Sequence, residues 1–120
     1  MQKILTALDN QEFYDKIKSI KDFYVYEKDI QYKEGIIDIL KIKPNFDILI
    51  IYEKLLGEIS IEKLIQKIKL INNKIKIIFI LENKNEELEK ILINENIKNI
   101  FYNDEINFEN FINKIIYSEE

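Results

Sequence analysis

Four consecutive aliphatic residues at positions 48–51, Ile-Leu-Ile-Ile, constrain the fold of this chain more than any other feature. Because neighbouring side chains of a strand point to opposite faces, a strand of this composition is apolar on both faces. Such a strand is typical of the centre of a parallel sheet that is covered on both sides. Residues 75–81 form a second run of the same character. The sequence therefore predicts a sheet with helices packed on both of its faces.

Strand and helix patterns alternate along the whole chain. We predict strands at residues 4–8, 23–26, 47–52, 75–81 and 97–102. Each is followed by apolar residues at helical spacing, as in the stripe formed by Ile61, Leu64, Ile65, Ile68 and Ile71. Strands that alternate with helices pair in parallel through right-handed crossovers. We expect one α/β domain over residues 1–120, a flavodoxin-like three-layer (βα)5 sandwich whose five-stranded parallel sheet has the order 2-1-3-4-5.

Polar residues mark the ends of several predicted helices. Asp9, with Glu12 three positions later, has the spacing of a capping box and is expected to begin the first helix. Ser60 and Asn85 are expected to cap the third and fourth helices, because their side chains can accept hydrogen bonds from unpaired backbone N–H groups. Pro44 is expected to end the second helix.

Composition excludes many kinds of functional site. The chain has no Cys and no His, which excludes disulfides, zinc sites built on these ligands and Ser-His-Asp triads. Its two Gly residues are far apart, so it has no glycine-rich phosphate loop. All 18 basic residues are Lys and acids outnumber them by 22 to 18, so we expect no nucleic-acid partner. Residues 1–5 lack the long apolar segment of a signal peptide, and no apolar run reaches about 18 residues, so we expect a cytoplasmic protein that is not inserted in a membrane.

The carboxyl ends of the predicted strands are where an open parallel sheet binds ligands. The chain places four carboxylates there, on Asp9, Glu53, Glu82 and Asp104. One hypothesis is a small-ligand or divalent-metal sensor that uses this acidic crevice. The alternative is that these acids are solvated loop residues or helix caps.

Lysines are concentrated around the third predicted helix and the strand that follows it. We expect them to form the solvated face of that helix and its exit, and the alternative is a site for an anionic partner. The cluster consists of Lys63, Lys67, Lys69, Lys74 and Lys76.

Nearly the whole chain resembles a receiver domain of the bacterial response regulators. In that family the third strand ends in a phosphoacceptor Asp, which is followed by an aliphatic-Pro-Gly turn. Residues 47–57 match this pattern in their hydrophobic strand and in Gly57, but Tyr52 stands at the acceptor position and Leu56 at the Pro position. An alignment shifted by one residue would put Glu53 at the acceptor position. The resemblance implies the same flavodoxin-like fold.

The other phosphorylation positions of that family are altered as well. The two acids that end its first strand are reduced to one here, and neither the hydroxyl residue after its fourth strand nor the Lys after its fifth is present. A tyrosine phenol has a reference pKa of about 10 and is a poor nucleophile at neutral pH. We therefore expect no catalytic residue, no bound metal and no cofactor. The degenerate phosphoacceptor pocket is predicted to consist of Leu8, Asp9, Tyr52, Glu53, Leu81, Glu82 and Asn103.

The resemblance also implies a role in protein–protein contacts. Receiver domains usually dimerise through the fourth helix, the fifth strand and the fifth helix, and there Ile93, Tyr102 and Tyr117 are candidate interface residues. Degenerate receiver-like domains of this kind resemble those at the N-terminus of MinD/ParA-type ATPases of the pilus-assembly localisation family. We expect a non-enzymatic module for protein–protein interaction, homodimerisation or localisation, which is part of a larger ATPase or signalling protein.

Overall fold

The computed structural model describes the backbone of residues 1–117 and the side chains of residues 1–115. Strands and helices alternate over the described residues, and none of these helices has the length and apolar character needed to traverse a lipid bilayer. The strands are β1 (Gln2–Ala7), β2 (Phe23–Val25), β3 (Ile48–Tyr52), β4 (Lys76–Leu81) and β5 (Asn99–Tyr102). The helices are α1 (Gln11–Lys18), α2 (Lys33–Ile42), α3 (Ile61–Ile71), α4 (Glu86–Asn94) and α5 (Phe108–Tyr117), with a short 3-10 helix (Asn103–Glu105) before α5.

The five strands form one parallel sheet in the order β2-β1-β3-β4-β5, which confirms the predicted fold class. Ile4 of β1 pairs with Val25 on one side and with Ile48 on the other. At the carboxyl end of the central strand, Tyr52 lies beside Ile80 of β4. The strand with four consecutive aliphatics is thus the middle strand of the sheet, as its composition predicted.

The two faces of the sheet carry separate hydrophobic cores. Leu49 and Ile51 of β3 pack in one core with α2, α3 and α4, whereas Ile48 and Ile50 pack in the other with α1 and α5. None of these four side chains is more than 1% exposed. Alternate side chains of one strand therefore stabilise both outer layers, which is why this strand has no polar face.

Two of the predicted caps are confirmed, and a third prediction is wrong. The side chains of Ser60 and Asn85 accept hydrogen bonds from backbone N–H groups in the first turns of α3 and α4. At α1 the capping residue is Asn10 rather than Asp9. Asn10 has the extended backbone of a cap (φ −148°) and accepts from the N–H of Phe13 at 3.1 Å. Asp9 has φ +48°, so it forms the turn that precedes the helix instead of starting it.

The fifth strand begins two residues later than predicted. Asn96 has a positive φ of 63°, and the N–H of Ile97 donates to the carbonyl of Leu92 at 2.8 Å. These features end α4, and they bury Ile97 in the turn that follows the helix. An apolar residue that packs at a helix end was therefore mistaken for the start of the strand.

Candidate functional site

The carboxyl ends of β1 and β3 border a small cavity of about 250 Å³. Four residues of the predicted pocket line it, namely Leu8, Asp9, Tyr52 and Asn103. Leu81 lies elsewhere, because it is fully buried in the core beneath α2, α3 and α4. The structure thus brings part of the predicted pocket together around one central side chain.

The Tyr52 side chain ends in a hydrogen-bonded cluster that joins three strands. Its hydroxyl donates to Oε2 of Glu82, and the Asn103 amide donates to the same oxygen at 3.3 Å. The backbone N–H of Glu82 donates to Oε1 of Glu53 at 3.0 Å. Two of the four carboxylates expected at this edge are therefore already hydrogen-bond acceptors within the protein. The ring of Tyr52 is half-buried and lines the cavity.

This arrangement keeps the Tyr52 phenol neutral. The pKa of Tyr52 is raised from 10.0 to about 12, chiefly by burial of the ring, and also by the hydrogen bond to Glu82 and the negative charges of Glu82 and Glu53. A neutral phenol is a poor nucleophile at physiological pH. The residue at the centre of the cavity is therefore suited to filling space and donating a hydrogen bond, and not to accepting a phosphoryl group.

We expect Tyr52 to ionise late in an alkaline titration followed by ultraviolet absorbance. Because its pKa in the folded protein lies above the reference value, its ionisation reduces stability as the pH rises from about 10 to about 12, and this contribution is intact below pH 10. Tyr52→Phe should remove one phenolate from the high-pH part of the titration. Tyr102, whose pKa is also raised to about 12, chiefly by its hydrogen-bonding interaction with Glu89, provides the matched variant Tyr102→Phe. An unchanged high-pH step in Tyr52→Phe would contradict the assignment.

One important residue was not predicted from the sequence. Asp29, in the loop after β2, accepts from the Thr6 hydroxyl at 2.8 Å and from the N–H groups of Leu8 and Asn10 at 2.9 and 3.0 Å. This single carboxylate holds the loop between β1 and α1, which carries Asp9. The only signal in the sequence is Thr6, a polar residue inside an apolar strand, which is completely buried and needs a partner.

The acidic residues of this edge do not form a metal cluster in the part of the chain whose side chains are described. There, no three Asp or Glu side chains lie close enough together to hold an ion. Asp104 is exposed on the 3-10 helix, and Asp9 is exposed at the rim of the cavity. The sensor hypothesis therefore remains a prediction that no observation favours.

The predicted interface residues lie on and around β5, which forms an edge of the sheet. Ile93 is 62% exposed, as expected for a residue off the core stripe of α4. Tyr102 is half-buried next to Glu89. The side chain of Tyr117 lies outside the described residues.

No protein-family profile and no curated protein sequence match the chain, but several solved structures of response-regulator receiver domains have a similar fold. A LuxR-family DNA-binding response regulator from Staphylococcus aureus superposes with a TM-score of 0.81 at 16% identity, with 97% of each chain covered. A CheY-like receiver domain from Methanospirillum hungatei gives 0.77 at 16% identity, covering 97% of this chain and 91% of that one. The RcsB response regulator of Salmonella typhimurium gives 0.82 at 16% identity, and this chain spans only 64% of its length.

These similarities establish the architecture alone. Identities of 16% carry no information on individual site residues. The receiver architecture agrees with the observed strand order and helix placement. It also agrees with the position of the cavity at the carboxyl ends of the strands. The chain has the flavodoxin-like fold of the response-regulator receiver domains.

Proposed function

We propose that this chain is a receiver-like module that is not phosphorylated and that acts through contacts with other proteins. In this role it dimerises or positions a larger protein to which it belongs, such as an ATPase or a signalling protein. The observation that carries the proposal is the position of the Tyr52 side chain. It lines the cavity at the carboxyl end of the central strand, and its hydroxyl is hydrogen-bonded to Glu82.

The chemistry of phosphoryl transfer supports the proposal. Transfer to a side chain requires a nucleophile, and the extra negative charge of the transferred group requires a cation or a positively charged side chain nearby. Here the central group is a neutral phenol, and the residue that contacts Glu82 from the fifth strand's end is Asn103, which carries no charge. Glu82, which contacts the phenol, and Glu53, which contacts Glu82, are acids, and their negative charge repels a phosphoryl donor.

The surface that remains for function includes Ile93, a large aliphatic side chain that projects from α4 beside the edge strand β5. Exposed aliphatic groups of this kind favour association, because contact with a partner removes their apolar surface from water. Ile93 therefore belongs to the surface through which we expect a homodimer or a protein partner to bind.

The decisive experiment is incubation with acetyl phosphate and Mg²⁺, followed by mass measurement of the intact protein. We expect no gain of a phosphoryl group, whereas a receiver domain with an acceptor Asp should gain one under the same conditions. A gain that disappears in Glu53→Gln or Asp9→Asn would overturn the proposal and would identify the acceptor.

A further inference from the structure

The layer formed by α2 and α3 carries an exposed apolar pair at each of its two ends. The head patch, Tyr32 and Leu56, lies at the end of the sheet where the carboxyl ends of the strands meet, and these side chains are 55% and 58% exposed. The tail patch, Ile42 and Leu70, lies at the opposite edge, where they are 75% and 86% exposed. Core packing explains neither pair, because all four side chains project from the protein.

The head patch is held in a fixed conformation. Tyr32 and Leu56 form a parallel β-bridge, in which the N–H of Lys33 donates to the carbonyl of Leu56 at 2.7 Å. The Glu34 carboxylate then accepts from the N–H groups that follow Gly57, at 2.9 and 3.0 Å. A loop tied down in this way loses little conformational freedom when a partner binds, which favours association.

The tail patch is assembled from the ends of two helices. Ile42 is the last residue of α2, and Leu70 is the residue before the last of α3. The Asn72 side chain, directly after α3, donates to the carbonyls of Pro44 and Phe46 at 2.8 and 3.0 Å, directly after α2. These two bonds tie the segment after α2 to the end of α3, and so fix the two helix ends that carry Ile42 and Leu70.

The loops after the strands are acidic, whereas exposed lysines lie near the tail patch. The five loops after the strands contain eight carboxylates and three lysines, a net charge of −5, although the net charge of the whole chain is only −4. Around the tail patch, Lys41, Lys67 and Lys74 are exposed. Helix dipoles favour acids at helix starts and lysines at helix ends, which accounts for this separation of charge. They do not account for an exposed apolar pair at each end.

These charges find few partners inside the protein. Among residues whose side chains are described, a single ion pair is present, between Lys16 and Glu12 on α1. Asp29, Glu53 and Glu82 accept hydrogen bonds within the protein. The other acids of the loops and the lysines near the tail patch can pair with charges on another molecule. The tail patch of a second copy complements the head patch in apolar character and in charge.

We propose that copies of this chain associate head to tail, with the tail patch of one copy on the head patch of the next. The apolar side chains then bury one another, and the lysines of the tail face the acids of the head. Because the two patches are different surfaces, each added copy leaves one of each exposed, so that association continues as an open chain. The proposal builds on the proposed role as an interaction module but uses a surface other than that around Ile93.

The test is the molecular mass of the 120-residue chain in solution, measured by sedimentation over a range of concentrations and salt. We expect the mean mass of the wild-type chain to rise with concentration and to fall with added salt. Leu56→Lys places a positive charge opposite the tail lysines, and Leu70→Glu places a negative charge opposite the head acids. Both variants are made in an Ile93→Lys background, which removes association through the surface around that residue, and there each variant alone should be a monomer. An equimolar mixture of the two should give a dimer, twice the monomer mass, because one intact head and one intact tail remain.

Tyr24→Lys is the matched control, since it changes a 49% exposed apolar side chain on β2, outside both patches and outside the surface around Ile93. We expect it to associate like the wild type. Wild-type protein that stays monomeric at the highest concentrations would overturn the proposal. So would loss of association in Ile93→Lys alone, which would instead assign the interface to α4 and β5. A mixture of Leu56→Lys and Leu70→Glu that stays monomeric or grows beyond a dimer also contradicts it.

Discussion

Replacing Asp29 with alanine is expected to lower the free energy of unfolding by about 3 kcal/mol. Asp29 accepts three hydrogen bonds, one from the Thr6 hydroxyl and two from the N–H groups of Leu8 and Asn10. Thr6 is fully buried, so its hydroxyl cannot turn to water when its partner is removed. The cost of leaving buried donors without acceptors exceeds the modest gain of the original bonds, which is why the expected effect is large.

Two variants make this prediction specific. Asp29→Asn keeps one carbonyl oxygen but replaces the other acceptor with an NH₂ group, so we expect a smaller loss of stability. Glu27→Ala removes an exposed acid from the same loop, and we expect a change within about 0.5 kcal/mol. Urea unfolding followed by circular dichroism measures all three. A loss in Asp29→Ala no larger than in Glu27→Ala would show that the three bonds contribute nothing to stability.

The fold could be predicted because its determinants are local and repeated. The aliphatic run at residues 48–51 required burial on both faces, and the stripe that includes Leu64 and Ile68 required a helix against one of them. Ser60 and Asn85 fixed where two helices begin, since a cap acts on backbone groups only three residues away. The order of the strands then followed from the general preferences of parallel sheets.

The site could be predicted only in outline, because its details depend on side-chain directions and on contacts between distant segments. Tyr52 was predicted at the end of β3, but its hydrogen bond to Glu82 links residues 30 positions apart. The bond from Thr6 to Asp29 spans 23 positions. Asp9 and Asn10 are both good capping residues, and only the positive φ of Asp9 shows which of them begins the helix. The partners of these hydrogen bonds and the identity of the capping residue depend on the three-dimensional path of the backbone. They correspond to no pattern in the sequence.

Replacing Tyr52 with aspartate is expected to destabilise the protein at neutral pH by about 3 kcal/mol. The variant loses the buried ring and the hydrogen bond to Glu82, and it adds a carboxylate next to Glu53 and Glu82. The negative charges of Glu53 and Glu82 raise the pKa of the new carboxyl group in the folded state above its value in the unfolded chain. The folded variant then binds more protons than the unfolded chain, so its stability should increase as the pH falls toward 4.

The same variant tests whether the aromatic ring is what keeps a cation out of this edge. Three adjacent carboxylates are a favourable ligand set for Mg²⁺, so millimolar Mg²⁺ should stabilise Tyr52→Asp, and thermal unfolding with and without the ion measures the effect. Tyr52→Phe keeps the ring and loses only the hydroxyl, so we expect a loss of about 1–2 kcal/mol and no response to Mg²⁺ or to acid beyond that of the wild type. Suppose that Tyr52→Asp is as stable as Tyr52→Phe and that Mg²⁺ does not change its stability. The aromatic ring would then not be what prevents Mg²⁺ from binding beside Glu53 and Glu82. The absence of phosphorylation would then need a cause other than Tyr52.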